Sequence, residues 1–409
     1  MPAPNLITLP NELIARIVEC LEAKECEQLR LTHRHLNIFA SRELAKICFQ
    51  LVYVSMTRYS LETLLNICQH HLFGPYVAAI SLTTKRAQAD DIDEHLAVFQ
   101  KLFRKGGLEG LDNAHHILKS YIDECHEQFA LEKSGEGTRL LTASLRLLKE
   151  RGQSVSLAVT DACSGFQPIG TLRAYRDRSF GARPNSTGRL KTSMRVLTNA
   201  AFRSGCRVDS LDIIHDCDNC GCGPDDSECL FNLGGHIMNT FNTMKTVYIK
   251  YSNLPSKASL KSLKAILSIS PRLDDVTIEL GYVPDFHEQR LSIKFAEDLL
   301  SCRTFKPGWK RVKLCSFPIS QKALVAILSN VSETLEILEL ESISLRRGTW
   351  DLVIPWIRNN LSLTMIDLGD LFEVDDDDLN EHGYLAESCD KYSGIFAEGT
   401  EEVQDALDG

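Results

Sequence analysis

No apolar run in the 409 residues approaches the roughly 18–20 that a membrane-spanning helix requires, so no span and no membrane partner is expected. The first residues carry no basic flank followed by an apolar stretch, so no signal peptide is expected, and the chain is expected in the cytoplasm or nucleus. The sequence lacks a Gly-x-Ser-x-Gly elbow, a phosphate-binding Gly-x-x-x-x-Gly-Lys turn, a His-Glu-x-x-His pair and a dinucleotide fingerprint. Nothing singles out a catalytic group among the twelve His and fourteen Cys, and the expectation is a protein that is not an enzyme. His70–His71 and His115–His116 are adjacent pairs, and on a helix neighbours point about 100° apart, which makes them poor joint ligands.

A basic folded face is also missing. The net charge of −10 is concentrated in a tail: from Asp367 onward there are fifteen acidic residues and one lysine. The remainder carries 44 basic and 40 acidic groups and is nearly neutral. Nucleic acid, which requires a basic surface, is therefore not the expected partner. The 44% of hydrophobic residues suffices for a large core, in two to three domains or one repeat array. Most cysteines are scattered and read as buried, reduced thiols.

At the N-terminus, Pro10 suits a first helical position, where its missing N–H costs nothing, and Glu12 lies in the first turn. Leu13, Ile14, Ile17, Val18 and Leu21 then trace one apolar stripe of a helix of about three turns. A polar break at Glu22–Lys24 precedes a second short helix through Cys26, Leu29 and Leu31, and a third through Leu36, Ile38, Phe39 and Leu44. Three short helices in so few residues bury little surface alone. They are either a cap on the next domain or a module that completes its core on a partner.

Leu9-Pro10, then Glu12-Leu13-Ile14, Ile17 and Leu21, followed by Leu29-Arg30-Leu31-Thr32 and His35-Leu36-Asn37, resemble an F-box over Leu6 to Ser41. His33 departs from the pattern, which usually has Cys there. The stretch LAKICFQLVYVSM is similar to the segment that leads from an F-box into a substrate domain. The resemblance implies binding to the adaptor subunit of SCF-type cullin–RING ubiquitin ligases, and through it to cullin, by apolar helix faces set in a groove. Leu9, Pro10, Leu13, Ile14, Ile17, Leu21, Leu29, Leu31 and Leu36 are the candidate adaptor-binding residues. Some of them must instead hold the helices together, and the sequence does not sort the two groups.

The body repeats an apolar-x-x-apolar-x-apolar frame at Val208/Leu211/Ile213, Met244/Val247/Ile249, Leu273/Val276/Ile278, Trp309/Val312/Leu314, Leu335/Leu338/Leu340 and Leu363/Ile366/Leu368. Successive copies start 36, 29, 36, 26 and 28 residues apart, with helical patterns between them. Earlier copies stand at Val77/Ile80/Leu82 and, more weakly, around Val155 and Leu157. Strands alternating with helices at such periods give an α/β fold, and read as an irregular leucine-rich-repeat solenoid with parallel strands inside and helices outside. The competing reading is a generic α/β domain with a parallel sheet. The expected organisation is a helical module over 1–50, a repeat array over 51–370 with a helical insertion at 88–150, and a disordered acidic tail over 371–409. The poor match to the usual repeat asparagine resembles the degenerate arrays that follow F-boxes in fungal proteins.

Two long loops interrupt the array, at 164–191 and 215–229. The first carries Arg173, Arg176, Arg178, Arg183 and Arg189, which read either as solvated charge or as a partner-binding loop for acidic or phosphorylated segments. The second carries Cys217, Cys220, Cys222 and Cys229, flanked by Gly221 and Gly223. Four thiolates suit a structural tetrahedral zinc, but no second Cys-x-x-Cys pair accompanies them, and a redox pair or a plain loop with clustered thiols are the alternatives. The resulting expectation is a substrate receptor of a ubiquitin ligase that binds a protein target through its repeats. A scaffold using the same modules outside a ligase is the alternative.

Overall fold

Burial at every second residue marks the strands, and burial at three- and four-residue intervals marks the helices. The computed structural model describes residues 6–84, 86, 115, 119, 122–160, 169, 190–215, 240–251, 264–268, 270–281, 308–316, 318–374, 387–388 and 394–407. The chain is mixed α/β and forms two compact units, one built on residues up to Leu157 and Asn199–Arg207, the other on Val208 onward.

The first unit opens with α1 (Asn11–Glu19), α2 (Ala23–Thr32) and α3 (Arg34–Phe49), followed by β1 (Leu51–Val54), α4 (Arg58–Gln69) and β2 (Ala79–Thr83). β1 and β2 are parallel and align Val52 with Ile80 and Val54 with Leu82, all four buried. Residues 122–134 are helical, Gly135 turns the backbone at φ 73°, and α5 (Glu136–Glu150) follows. α5 packs on α4, and the Arg58 guanidinium spans both Glu136 oxygens at 2.8 and 2.9 Å. Arg86 is almost fully buried, donating to Glu132 at 2.7 Å and to the Thr83 carbonyl at 2.7 Å. β3 (Ser154–Thr160) and α6 (Leu190–Ser204) lead on to β4 (Arg207–His215).

In the second unit β4 is followed by β5 (Thr246–Tyr251), β6 (Asp275–Leu280), β7 (Arg311–Cys315), β8 (Pro318–Ser320), α7 (Gln321–Val331) and β9 (Ile337–Glu341). Then come β10 (Ser344–Arg346), α8 (Trp350–Asn360), β11 (Met365–Gly369) and β12 (Phe372–Val374). β4, β5, β6, β7, β9 and β11 are parallel neighbours. Their register places the last two residues of every frame in two continuous rows. Leu211, Val247, Val276, Val312, Leu338 and Ile366 form one; Ile213, Ile249, Ile278, Leu314, Leu340 and Leu368 form the other. None of these twelve side chains is more than 1% exposed. Each such side chain contributes about 1.5–3 kcal/mol by leaving water, and a one-residue slip would turn a strand's whole set outward.

Three repeats share a further device that the sequence frames do not show. Directly after β7, β9 and β11, Ser316, Ser342 and Asp370 adopt left-handed conformations with φ of 53°, 53° and 50°. Their backbones turn the chain into β8, β10 and β12, which form a second small sheet in the order β13-β12-β10-β8, where β13 is Glu387–Ser388. The corners stack: Ser316 N–H donates to the Glu341 carbonyl and Ser342 N–H to that of Gly369, each at 2.8 Å. α7 then buries Leu324, Ile327, Leu328 and Val331, and α8 buries Trp350, Val353, Ile354 and Ile357 at identical spacing. The Trp350 indole N–H donates to the Phe372 carbonyl at 3.1 Å, tying α8 to the next short strand.

Part of the stretch expected to be disordered is ordered: residues 394–407 form a strand and a helix. β14 (Ile395–Glu398) pairs antiparallel with β11, and α9 (Thr400–Ala406) closes behind it with Val403 buried. The physical reason is the open edge of β11: its unpaired peptide groups take a strand, and Ala397 and Val403 supply enough burial to hold it, despite the acidic surroundings. Within the second unit the strand order among the described residues is β4-β5-β6-β7-β9-β11-β14.

Two outcomes follow. Ser342→Val, which places a β-branched residue in a left-handed corner, is expected to destabilise the chain by about 1–3 kcal/mol in urea unfolding, while Ser342→Gly is expected to cost nothing measurable. Truncation after residue 393 uncovers the β11 edge, and light scattering is expected to show concentration-dependent self-association that the full chain lacks.

Candidate functional site

Two surfaces carry unaccounted chemistry. In the first unit, α1, α2 and α3 enclose a core of Ile14, Val18, Cys26, Leu36, Ala40 and Leu44. Leu6, Ile7, Leu9, Leu21, Leu29 and Phe39 pack around it, half-buried. The local sequence dictates this arrangement. Glu22 and Glu25 form a capping box at the start of α2, with Glu22 N–H donating to Glu25 at 2.9 Å. His33, the departure from the family pattern, is the extended residue between α2 and α3, and its Nδ1 caps α3 by accepting from His35 N–H at 3.1 Å.

This core sorts the candidate adaptor-binding residues. Ile14 and Leu36 are wholly or almost wholly buried and hold the helices together, so they are corrected from contact residues to core residues. Leu9, Leu21 and Leu29 are half-buried against the core. Pro10 is exposed, as are Leu13 at 51%, Ile17 at 39% and Leu31 at 76%. Leu13 and Ile17 lie one turn apart on α1, about 100° round the helix from the buried Ile14–Val18 pair, so the apolar surface is wider than its own module uses. Ile38 on α3, 46% exposed, adds to this set.

The second surface is the face of the second unit's sheet opposite the aliphatic rows. Register aligns Asp212, Tyr248, Thr277, Lys313, Glu339 and Asp367 in one row, with Lys250, Glu279, Cys315 and Glu341 in the next. Its centre is internally paired. Glu339, only 6% exposed, takes Arg311 and Lys313, the latter at 3.1 Å, and Lys313 also reaches Glu341 at 3.4 Å. Glu279 accepts from Lys250 and from the Tyr248 hydroxyl, each at 2.8 Å. Burial, with that hydrogen bond, raises the Tyr248 phenol. Burial also pushes the Cys315 thiol up to about 12, so it is not a thiolate nucleophile at neutral pH. Asp275 Oδ1 is buried with no hydrogen-bond partner, and its carboxyl is raised by burial, a shift Arg311 offsets and Glu339 reinforces.

Asp212 is the most perturbed carboxyl on this face: burial pushes it from 3.8 to about 6. These groups occupy the positions between the frame residues, on the opposite face of the sheet.

The Arg-rich stretch of Arg173, Arg176, Arg178, Arg183 and Arg189 and the cysteines Cys217, Cys220, Cys222 and Cys229 lie outside the described residues. Among the described residues no group of three or more His, Cys, Asp or Glu is placed to hold a metal ion, and no helix is long and apolar enough to cross a membrane. No protein-family model and no curated protein matches the chain.

A folded carboxyl that holds its proton more tightly than the unfolded one makes stability fall as pH rises, here between about pH 4 and 6. Asp212→Asn removes that loss. It is expected to raise unfolding free energy by about 1–3 kcal/mol at pH 8, with the gain vanishing towards pH 4 in denaturant titrations.

Proposed function

We propose that the protein is a substrate-recognition subunit of an SCF-type cullin–RING ubiquitin ligase. The observation that carries this reading is the apolar surface of α1 that its own module leaves uncovered: Leu13 and Ile17 stay exposed beside a module core that is already filled. Singly exposed apolar residues are ordinary on a protein surface, but two on one helix face suit burial in a partner's groove, and Leu31 and Ile38 on the neighbouring helices are exposed as well. The F-box resemblance of the same residues names the partner, the ligase's adaptor subunit, which links to cullin.

The second unit is read as an irregular leucine-rich-repeat array. Its support is the recurrence, at 26 and 28 residues, of a long parallel strand, a left-handed corner and a short strand, with a helix following each of the first two. The array binds the protein target. The protein performs no chemistry itself; it raises the concentration of the target beside the conjugating machinery. A scaffold acting outside a ligase would use the same two surfaces, and ubiquitylation of a bound partner separates the two readings.

The test is capture of the full chain by the adaptor subunit. Wild type is expected to bind. Leu13→Asp/Ile17→Asp is expected to lose capture while its unfolding free energy changes by no more than about 1 kcal/mol, since both residues face solvent. Ile14→Asp is expected to unfold the module. A folded double variant that still binds, or a wild type that does not, overturns the reading.

A further inference from the structure

The polar face of the second unit's sheet has a charge distribution that specifies what it would hold. In its middle the bases Lys250, Arg311 and Lys313 are each paired with glutamates of neighbouring strands, while Asp275 Oδ1 has no hydrogen-bond partner. Asp212 on β4 and Asp367 on β11 share one register row and have neither a hydrogen bond nor an ion pair among the described residues. Six carboxylates, Asp212, Asp275, Glu279, Glu339, Glu341 and Asp367, face three bases, so the face keeps a net negative charge after its internal pairing. Parts of it reach solvent: the Arg311 side chain is 42% exposed and that of Glu341 58%, while Asp212 and Asp367 are half-buried.

Five strand steps separate Asp212 from Asp367, about 24 Å at roughly 4.8 Å per step. The two cannot share a metal ion, and a net negative face repels phosphates. An extended peptide covers about 24 Å in roughly seven residues. We infer that this face takes an extended, basic segment of a partner protein, carrying Arg or Lys at two positions about seven residues apart, one set on Asp212 and the other on Asp367. Thr277 and Lys313 lie under the middle of the segment, where Thr277 supplies a polar contact and Lys313 is neutralised by Glu339 and Glu341. Arg suits both ends, because its planar fork matches a carboxylate. That such a segment is what marks a target for the ligase rests on the proposed function; the assignment of the face does not.

The experiment uses the full chain and fluorescein-labelled ten-residue peptides with two arginines at separations from three to nine, otherwise Gly, Ser and Thr, read by anisotropy at physiological salt. Binding is expected to peak near a separation of seven and to drop at least about tenfold in Asp212→Asn/Asp367→Asn, with each single variant intermediate. A glutamate-for-arginine peptide is expected not to bind. Equal binding at all separations, no binding at any, or a double variant that binds as well as wild type overturns the inference. The Leu13→Asp/Ile17→Asp variant is expected to retain peptide binding. A wild type that captures the adaptor but ignores the peptides overturns this inference alone, and one that binds the peptides but not the adaptor overturns the ligase reading alone.

Discussion

Two rows of aliphatic side chains, one residue from each of six parallel strands, fix what the second unit can be. Because they are sealed from water on every strand, the register of each strand is set by its neighbours, and no strand can slip without turning its buried pair outward. Everything between those rows must then point the other way. The polar face is thus a geometrical consequence of the core, and its acids and bases are held at fixed strand spacings by residues they never touch.

The same economy of burial explains the N-terminal helices. The module encloses only six fully or nearly buried residues, a small core for an independent unit. α1 turns Ile14 and Val18 inward and leaves Leu13 and Ile17 outside, so its own module uses only part of its apolar surface. Under the proposed adaptor binding, stability and recognition would be carried by neighbouring residues on one helix and be separable by substitution. On the polar face the inferred recognition would conflict with stability instead. Asp212 is desolvated without a counter-charge, an arrangement that weakens the free protein at neutral pH and that a bound cation would relieve.

Much of this was legible in the sequence. The six frames placed the strands and their buried residues because burial on one sheet face imposes a period of two. The helical stripe of α7 at Leu324, Ile327 and Leu328 was legible for the same reason at a period near 3.6. Leu13 and Ile14 were not separable, because adjacent apolar residues satisfy the same stripe and only the packed helices decide which turns inward. The corners at Ser316, Ser342 and Asp370 were hidden because serine and aspartate tolerate left-handed backbone without requiring it. The strand at Ile395–Glu398 was hidden behind the acidic run at Asp375–Asp378, whose composition outweighed four residues of strand pattern. Its formation depends on a distant edge, which no local window contains.

Amide hydrogen exchange on the full chain, with and without the ligase adaptor subunit, reads both halves of this picture at once. Added protection confined to α1, α2 and α3, around Leu13, Ile17, Leu31 and Ile38, with unchanged slow exchange across β5, β6, β7 and β9, is the expected pattern. No added protection in α1, or rapid exchange in the strands that carry the aliphatic rows, would contradict it.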